Sequence, residues 1–241
     1  MHNNPAIGVM GGGAWGTTVA KLLSDKNSNV LLWAKETQVK KDIEKTKINK
    51  TYLNKIKLNK SLKITNDLQD LSELDILFVV IPTQYIQATL KPLKKIIKRN
   101  CILVNCAKGI DIKSTSLISE VINKTLPSNR LAIMSGPNFA LEIALGKPTA
   151  TLIATQKISD AKYIANLISS KTFRPYLSND IIGAQICGAM KNIYAIGCGI
   201  IVGKNFGENA VASVIARSFA EIKSIGKKLG AQPDKPESVS G

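Results

Sequence analysis

Short apolar runs alternate with stretches of helical period along most of the chain. Apolar runs at 6–10, 29–33, 62–65, 76–81, 102–105, 131–134 and 151–154 read as strands. The run at 76–81 is apolar throughout, as a central strand covered on both faces requires. Helical patterns fall between the strands, for example at 84–98 and 115–124, with a short helix at 67–74. This alternation predicts βαβ units around a doubly wound, mainly parallel sheet, an α/β Rossmann-like fold. Beyond residue 179 the period changes, and two long helices are expected at 180–202 and 208–229. The expected division is a dinucleotide-binding domain over 1–178 and the start of an all-helical domain over 179–241. The chain ends in QPDKPESVSG, which leaves those two helices little to pack against.

Composition narrows the chemistry. The net charge of +16 raises the question of a polyanionic partner. Arginine appears only at Arg99, Arg130, Arg174 and Arg217, whereas nucleic-acid surfaces favour arginine forks with interleaved aromatics. A solvated lysine surface with a smaller anionic ligand is therefore expected, and no nucleic acid. The cysteines Cys101, Cys106, Cys187 and Cys198 form no CxxC pair, so no metal site and no disulfide framework is expected, and a reducing cytoplasm fits. MHNNPAIGVM has no basic segment followed by an apolar block, so no secretory signal is read there. The stretch 181–202 is long enough to cross a membrane, but Gln185, Lys191 and Asn192 fall in its middle. It reads instead as a buried helix of the helical domain, without membrane insertion. His2 is the only histidine and lies at the terminus, so proton transfer near neutral pH falls to lysine, carboxylate, tyrosine or cysteine.

The strongest motif is GVMGGGAWGTTVA. Gly11, Gly13 and Gly16 form GxGxxG directly after the first strand and at the opening of a helix. The first glycine turns, the second admits a pyrophosphate, and the third lets the helix approach the strand. Free N–H groups and the dipole of the helix N-terminus favour the phosphates. The second strand ends in LLWAKE, where Glu36 stands about twenty residues beyond the last glycine, the place for a ribose-binding acid. Lys35 beside it either accepts a 2′-phosphate or is an ordinary surface lysine, so both NAD and NADP remain as cofactors. VNCAKGID and SGPNFA follow later strands and place Lys108 and Gly136 where ligands bind in an open α/β sheet. In SGPNFA, Pro137 is expected to open a helical turn whose N–H groups face an anion. Lys191 lies in ICGAMKNIYAIGCG, on one helical face with Ala184, Cys187, Gly188, Ala195 and Cys198. Desolvation in such a stripe would favour its neutral amine, which suits a group that takes and returns a proton; the other reading is a lysine snorkelling from a buried helix.

Taken together, GGGAWGT, LLW, the Asn49 and Tyr52 of NKTYL, AKGI, SGPNFA with KPTA, GAMKNIYAIG and FGENA resemble the bacterial NAD(P)-dependent glycerol-3-phosphate dehydrogenases, in order and over nearly the whole chain. The resemblance implies hydride transfer between sn-glycerol 3-phosphate and dihydroxyacetone phosphate, feeding glycerophospholipid synthesis. It implies Lys191 as proton acceptor and substrate contact, and Lys108 as a contact to both substrate and cofactor. It further implies Gly136 and Asn138 in the substrate loop, and Ala14, Trp15, Lys35 and Ala140 among the cofactor contacts. The partner implied is a small phosphorylated substrate, and a homodimer is compatible with it. Asn138 stands where the family usually has serine or threonine, and Val211 where a polar or basic residue is frequent. The family continues with a glycine-aspartate segment and an arginine-asparagine pair that these 241 residues do not contain. On that ground this chain is expected to bind dinucleotide but to turn over dihydroxyacetone phosphate poorly or not at all. A non-catalytic dinucleotide-binding remnant and a β-hydroxyacid dehydrogenase are the alternative readings.

Overall fold

The computed structural model describes residues 4–232; His2 and nearly all of the QPDKPESVSG ending lie outside the described residues. The strands are β1 (Ile7–Met10), β2 (Val30–Trp33), β3 (Lys63–Thr65), β4 (Ile76–Val79), β5 (Ile102–Asn105), β6 (Ile110–Asp111), β7 (Ser116–Leu117), β8 (Arg130–Ser135), β9 (Thr149–Thr155) and β10 (Phe173–Ser178). The helices are α1 (Ala14–Ser24), α2 (Thr37–Thr46), α3 (Ile86–Leu90), α4 (Ile118–Thr125), α5 (Ala140–Ala144), α6 (Ile158–Ile168), α7 (Ile181–Gly203) and α8 (Glu208–Lys228). Eight strands form one sheet in the order β10-β9-β8-β5-β4-β1-β2-β3, and β6 pairs with β7 in a separate hairpin. Pairing is parallel from β3 through β8, reverses between β8 and β9, and is parallel again between β9 and β10.

Side chains of successive strand residues point to opposite faces. Ile76, Phe78, Ile102 and Val104 therefore join Val19, Leu23, Val39, Ile43, Ile164 and Ile168 from α1, α2 and α6 on one face. Leu77, Val79 and Leu103 meet Ile86, Leu90, Ile118 and Ile122 from α3 and α4 on the other. Both faces of the centre are thus covered, which is why β4 is apolar at every position. The chain leaves β1 toward β2 and β3 on one side and returns to β4 on the other. That change of direction opens a crevice at the carboxyl ends of β1 and β4.

Several elements depart from the sequence expectation. The pattern at 84–98 is helical but broken: Thr83–Tyr85 and Lys91–Lys95 are 3₁₀ turns around the five-residue α3. Pro92 has no N–H to extend the α-helical ladder, and the chain tightens instead. At 67–74 only a 3₁₀ turn, Gln69–Leu71, forms. Helix α4 begins at Ile118, because Ser116 and Leu117 pair antiparallel with Asp111 and Ile110. Strand β10 was not expected; it carries Arg174 and Pro175, which suit the edge position it occupies.

The largest correction concerns α7. It is a helix of 23 residues, mean hydropathy 1.5 over its most apolar window, yet only 11% of that window is buried. Asp180 caps its start by accepting the Gly183 N–H at 2.8 Å. Burial is confined to Ala184, Gln185, Ile186 and Gly188, where the helix crosses the sheet. Past that point α8 packs beside it, and Ile193, Ile196 and Ile200 stay exposed. The expected buried helix is thus buried at one end only.

Phe78 is fully buried at the centre of the sheet, whereas Ile112 is 77% exposed. Replacing Phe78 with alanine is expected to cost about 3–5 kcal/mol, and Ile112→Ala to stay within about 0.5 kcal/mol, as read by urea unfolding.

Candidate active site

The glycine turn lies between β1 and α1. Gly11 has φ +135°, a region that favours glycine, and a Cβ there would collide with the Val80 carbonyl that follows β4. A Cβ on Gly16 would overlap the Gly11 carbonyl, so the helix can approach the strand this closely only with glycine at that position. Gly13 differs: a Cβ there meets nothing within 4 Å. Helix α1 has no side-chain cap and no acidic residue in its first turn, so nothing from the chain neutralises its N-terminal dipole. Ala14 and Trp15 are half-buried in that turn, and Trp15 packs its ring against the core. Lys35 and Glu36 are exposed just past β2, with Glu36 as the residue preceding α2. Ala140 opens α5, and its carbonyl accepts the Thr18 hydroxyl at 3.1 Å, which holds α5 against α1. An uncapped helix start, a glycine facing open space and a polar strand end fit a dinucleotide.

Three further segments converge on the same sheet edge. Beyond β5, the Asn105 side chain donates to the Ala107 carbonyl and accepts the Ala107 N–H, which shapes the turn carrying Lys108. The Lys108 carbonyl accepts the Thr83 hydroxyl at 2.9 Å, and Gly109 has φ +139°. Lys108 is half-buried, and its Nζ donates to the Gly136 carbonyl at 2.5 Å. Burial, then the charge of Lys191, holds the Lys108 pKa below the ordinary lysine value.

The loop after β8 is not the helical turn expected from SGPNFA. The Asn138 N–H turns back to the Gly136 carbonyl at 2.9 Å, closing a tight turn, and α5 starts only at Ala140. Pro137 is therefore a loop residue. Gly136 sits close to Ala150 and Thr151 of β9, where a Cβ would be 3.1 Å from backbone. Asn138 donates weakly to the Thr151 hydroxyl at 3.4 Å, while its Oδ1 is buried and accepts no hydrogen bond among the described residues.

Helix α7 supplies the remaining wall. A Cβ on Gly188 would come within 2.6 Å of Ser135 Oγ and 3.6 Å of the Lys108 stem, so the small residue sets how close α7 lies to both strand ends. Ala184, Cys187, Gly188, Lys191, Ala195 and Cys198 share the face lining a cleft of about 940 Å³ between α7, α8 and the sheet. Lys191 is half-buried there, its Nζ 5.2 Å from the centroid of the Phe139 ring. The Tyr194 hydroxyl donates to Glu221 at 3.0 Å, and Arg217 donates to the same carboxylate, tying α7 to α8.

Sequence reasoning passed over three participants. Ser135 and Phe139 stand within SGPNFA: Ser135 Oγ faces Gly188, and the Phe139 ring lies 5.2 Å from Lys191 Nζ. Gln185 is buried, and its amide exchanges two 2.9 Å hydrogen bonds with Ser119 at the start of α4, fixing α7 on the sheet. Its only signal in the sequence was a polar side chain in an apolar helix. Burial pushes the Cys101 thiol up to about 12 and Cys106 higher still, which leaves both inert. Among the described residues no three histidine, cysteine or carboxylate groups are placed to hold a metal.

A glycine phosphate turn at the switch point, joined to a lysine-bearing helical cleft, defines a dinucleotide-dependent oxidoreductase. Comparison with known proteins is more specific. The family described as "NAD-dependent glycerol-3-phosphate dehydrogenase N-terminus" matches residues 6–161, and its C-terminal counterpart matches 180–241. The glycerol-3-phosphate dehydrogenase [NAD(P)+] of Parvibaculum lavamentivorans is 38% identical over 235 residues, covering 98% of this chain and 71% of that relative. The enzyme of the same name from Erythrobacter litoralis is 40% identical, with 98% and 70% covered. The crystal structure of glycerol-3-phosphate dehydrogenase from Coxiella burnetii superposes with a TM-score of 0.88 at 30% identity, covering 99% of this chain and 72% of that one. The chain belongs to the NAD-dependent glycerol-3-phosphate dehydrogenase family, whose cofactor is NAD or NADP.

Removing the Lys191 charge with Lys191→Met relieves the repulsion on Lys108 but leaves its burial. The Lys108 pKa is therefore expected to rise and to remain below that of a free lysine. Reductive ¹³C-methylation followed by NMR titration measures it, and an unmoved titration would show that the two amines do not interact.

Proposed function

We propose that the chain interconverts dihydroxyacetone phosphate and sn-glycerol 3-phosphate with Lys191 as the proton-transfer group. The observation that carries this is the meeting of Lys108, the Gly136–Asn138 loop and Lys191 at one edge of the sheet, beside the glycine turn. When bound, the nicotinamide exchanges hydride with C2 of the substrate. The neutral Lys191 amine takes the C2 hydroxyl proton in oxidation, and its ammonium returns a proton to the oxygen in reduction. Lys108, already anchored on the Gly136 carbonyl, contributes a fixed cation beside an anionic substrate and cofactor. The unpartnered Asn138 Oδ1 is an acceptor for a substrate hydroxyl.

For the cofactor, the reading places pyrophosphate against Gly11, Gly13, Ala14, Trp15 and Gly16. Glu36 and Lys35 stand at the adenosine ribose, and Ala140 on the α5 side. The free state of Cys101, Cys106, Cys187 and Cys198 accords with a cytoplasmic enzyme supplying glycerophospholipid synthesis.

The decisive measurement follows NADH and NADPH oxidation with dihydroxyacetone phosphate. Lys191→Ala is expected to lower kcat by about 10²–10⁴-fold while the NADH dissociation constant, read from tryptophan fluorescence, stays within about twofold. Robust turnover by the unsubstituted chain would overturn the expectation that these residues reduce dihydroxyacetone phosphate poorly, and equal turnover by Lys191→Ala would then remove Lys191 from the reaction. Gly13→Ala separates binding from folding. Its methyl has free space, so unfolding stability should hold within about 0.5 kcal/mol, while NADH binding weakens because the methyl occupies the pyrophosphate's place.

A further inference from the structure

Asn49 lies in the segment 47–62 that joins α2 to β3, a surface excursion, yet its side chain is fully buried. The excursion is itself well anchored. Leu53, Ile56, Leu58 and Leu62 pack into the core beside Val39 and Ile43, Ile48 bridges to Lys57, and the Leu58 N–H donates to the Lys47 carbonyl at 2.7 Å. From this base the Asn49 amide nitrogen donates to the Gly12 carbonyl at 2.8 Å and to the Thr17 hydroxyl at 2.8 Å. Its carbonyl oxygen accepts the Tyr52 N–H at 3.1 Å. The Thr17 hydroxyl donates in turn to the Gly12 carbonyl at 3.3 Å. Both amide hydrogens are therefore used, and both connections end on the glycine turn.

The direction of these bonds matters. A trans peptide places its C=O and the following N–H on opposite sides, and no described peptide bond is cis. With the Gly12 carbonyl held inward by two donors, the Gly13 N–H is held outward. Gly12 has no slack toward the sheet either, since a Cβ there would come within 2.6 Å of the Ala34 side chain. We propose that Asn49 is a positioning residue for dinucleotide recognition: by clamping the Gly12 carbonyl from behind, it keeps the Gly13 N–H and the first turn of α1 aimed at the pyrophosphate. The same segment reaches the ribose end, where the Tyr52 hydroxyl lies 3.5 Å from Glu36 Oε1. The excursion is thus the backing of the cofactor site. The inference rests on the dinucleotide reading of that turn.

Asn49→Asp keeps the shape but removes both donors and sets a carboxylate against a carbonyl. Isothermal titration with NADH, at a temperature where circular dichroism shows the variant folded, should give a dissociation constant raised about 10- to 100-fold. Adenosine has the base and ribose but no pyrophosphate, and its binding, followed by NMR, should be unchanged. Thr17→Val removes one partner without adding charge. It serves if the aspartate variant does not fold, and an increase of about threefold to tenfold is expected for it. Unaltered NADH affinity in a folded variant overturns the role of Asn49 alone, as does an equal loss for adenosine, which would mark general loosening. Failure of the unsubstituted chain to bind NADH overturns the cofactor reading with it.

Discussion

The antiparallel pairing of β8 with β9 decides from where the second half of the site must come. Through β8 every strand of the large sheet delivers its carboxyl end to one edge, and the glycine turn, Lys108 and Gly136 gather there. Reversal sends β9 and its parallel neighbour β10 the other way, so β10 starts beyond the ligand edge and ends with Ser178 level with Ile133 and Asn105. Helix α7 then has to turn back across the face of the sheet. It does so over Ala184, Gln185 and Gly188, packing Ala184 with Ile133 and Ala154, and reaches the ligand edge where Gly188 faces Ser135. Lys191 follows one turn later.

That path makes the site a meeting of cations. After burial, the charge of Lys191 lowers the pKa of Lys108, and neither lysine forms an ion pair with a carboxylate among the described residues. Two uncompensated amines in a part-buried cleft repel each other, and an anion entering between them relieves that repulsion. A small phosphorylated substrate carries such a charge. The surplus of lysine over the whole surface acts in the same sense, attracting anionic substrate and cofactor alike, and salt weakens it.

Much of this was legible in the residues because local physics left few alternatives. Gly11 and Gly16 are dictated by close backbone contacts, and a strand before and a helix after gave the turn its meaning. The seven apolar runs all became strands of the large sheet, fully buried in β1, β4 and β5 and partly exposed at the β3 edge. The rest depended on tertiary context. Strand β10 hides behind Arg174 and Pro175, which an edge tolerates and a pattern search rejects. The helical period over 84–98 says nothing of Pro92 tightening the chain. SGPNFA resembles a helix start, but a hydrogen bond between Asn138 and Gly136 captures it as a loop. Hydropathy alone marked α7 as buried, since composition does not reveal how far a helix runs beyond the sheet it rests on. The clamp by Asn49 was least visible of all, because it joins residues 37 positions apart through a side chain.

Helix α7 is fixed to the sheet at Gln185, through Ser119, and at Gly188, against Ser135. Lys191 stands three residues past Gly188, about 4.5 Å further along the axis at about 1.5 Å of rise per residue. The amine is therefore mounted beside the anchored turn, and its register with Lys108 is inherited from the close packing that Gly188 permits.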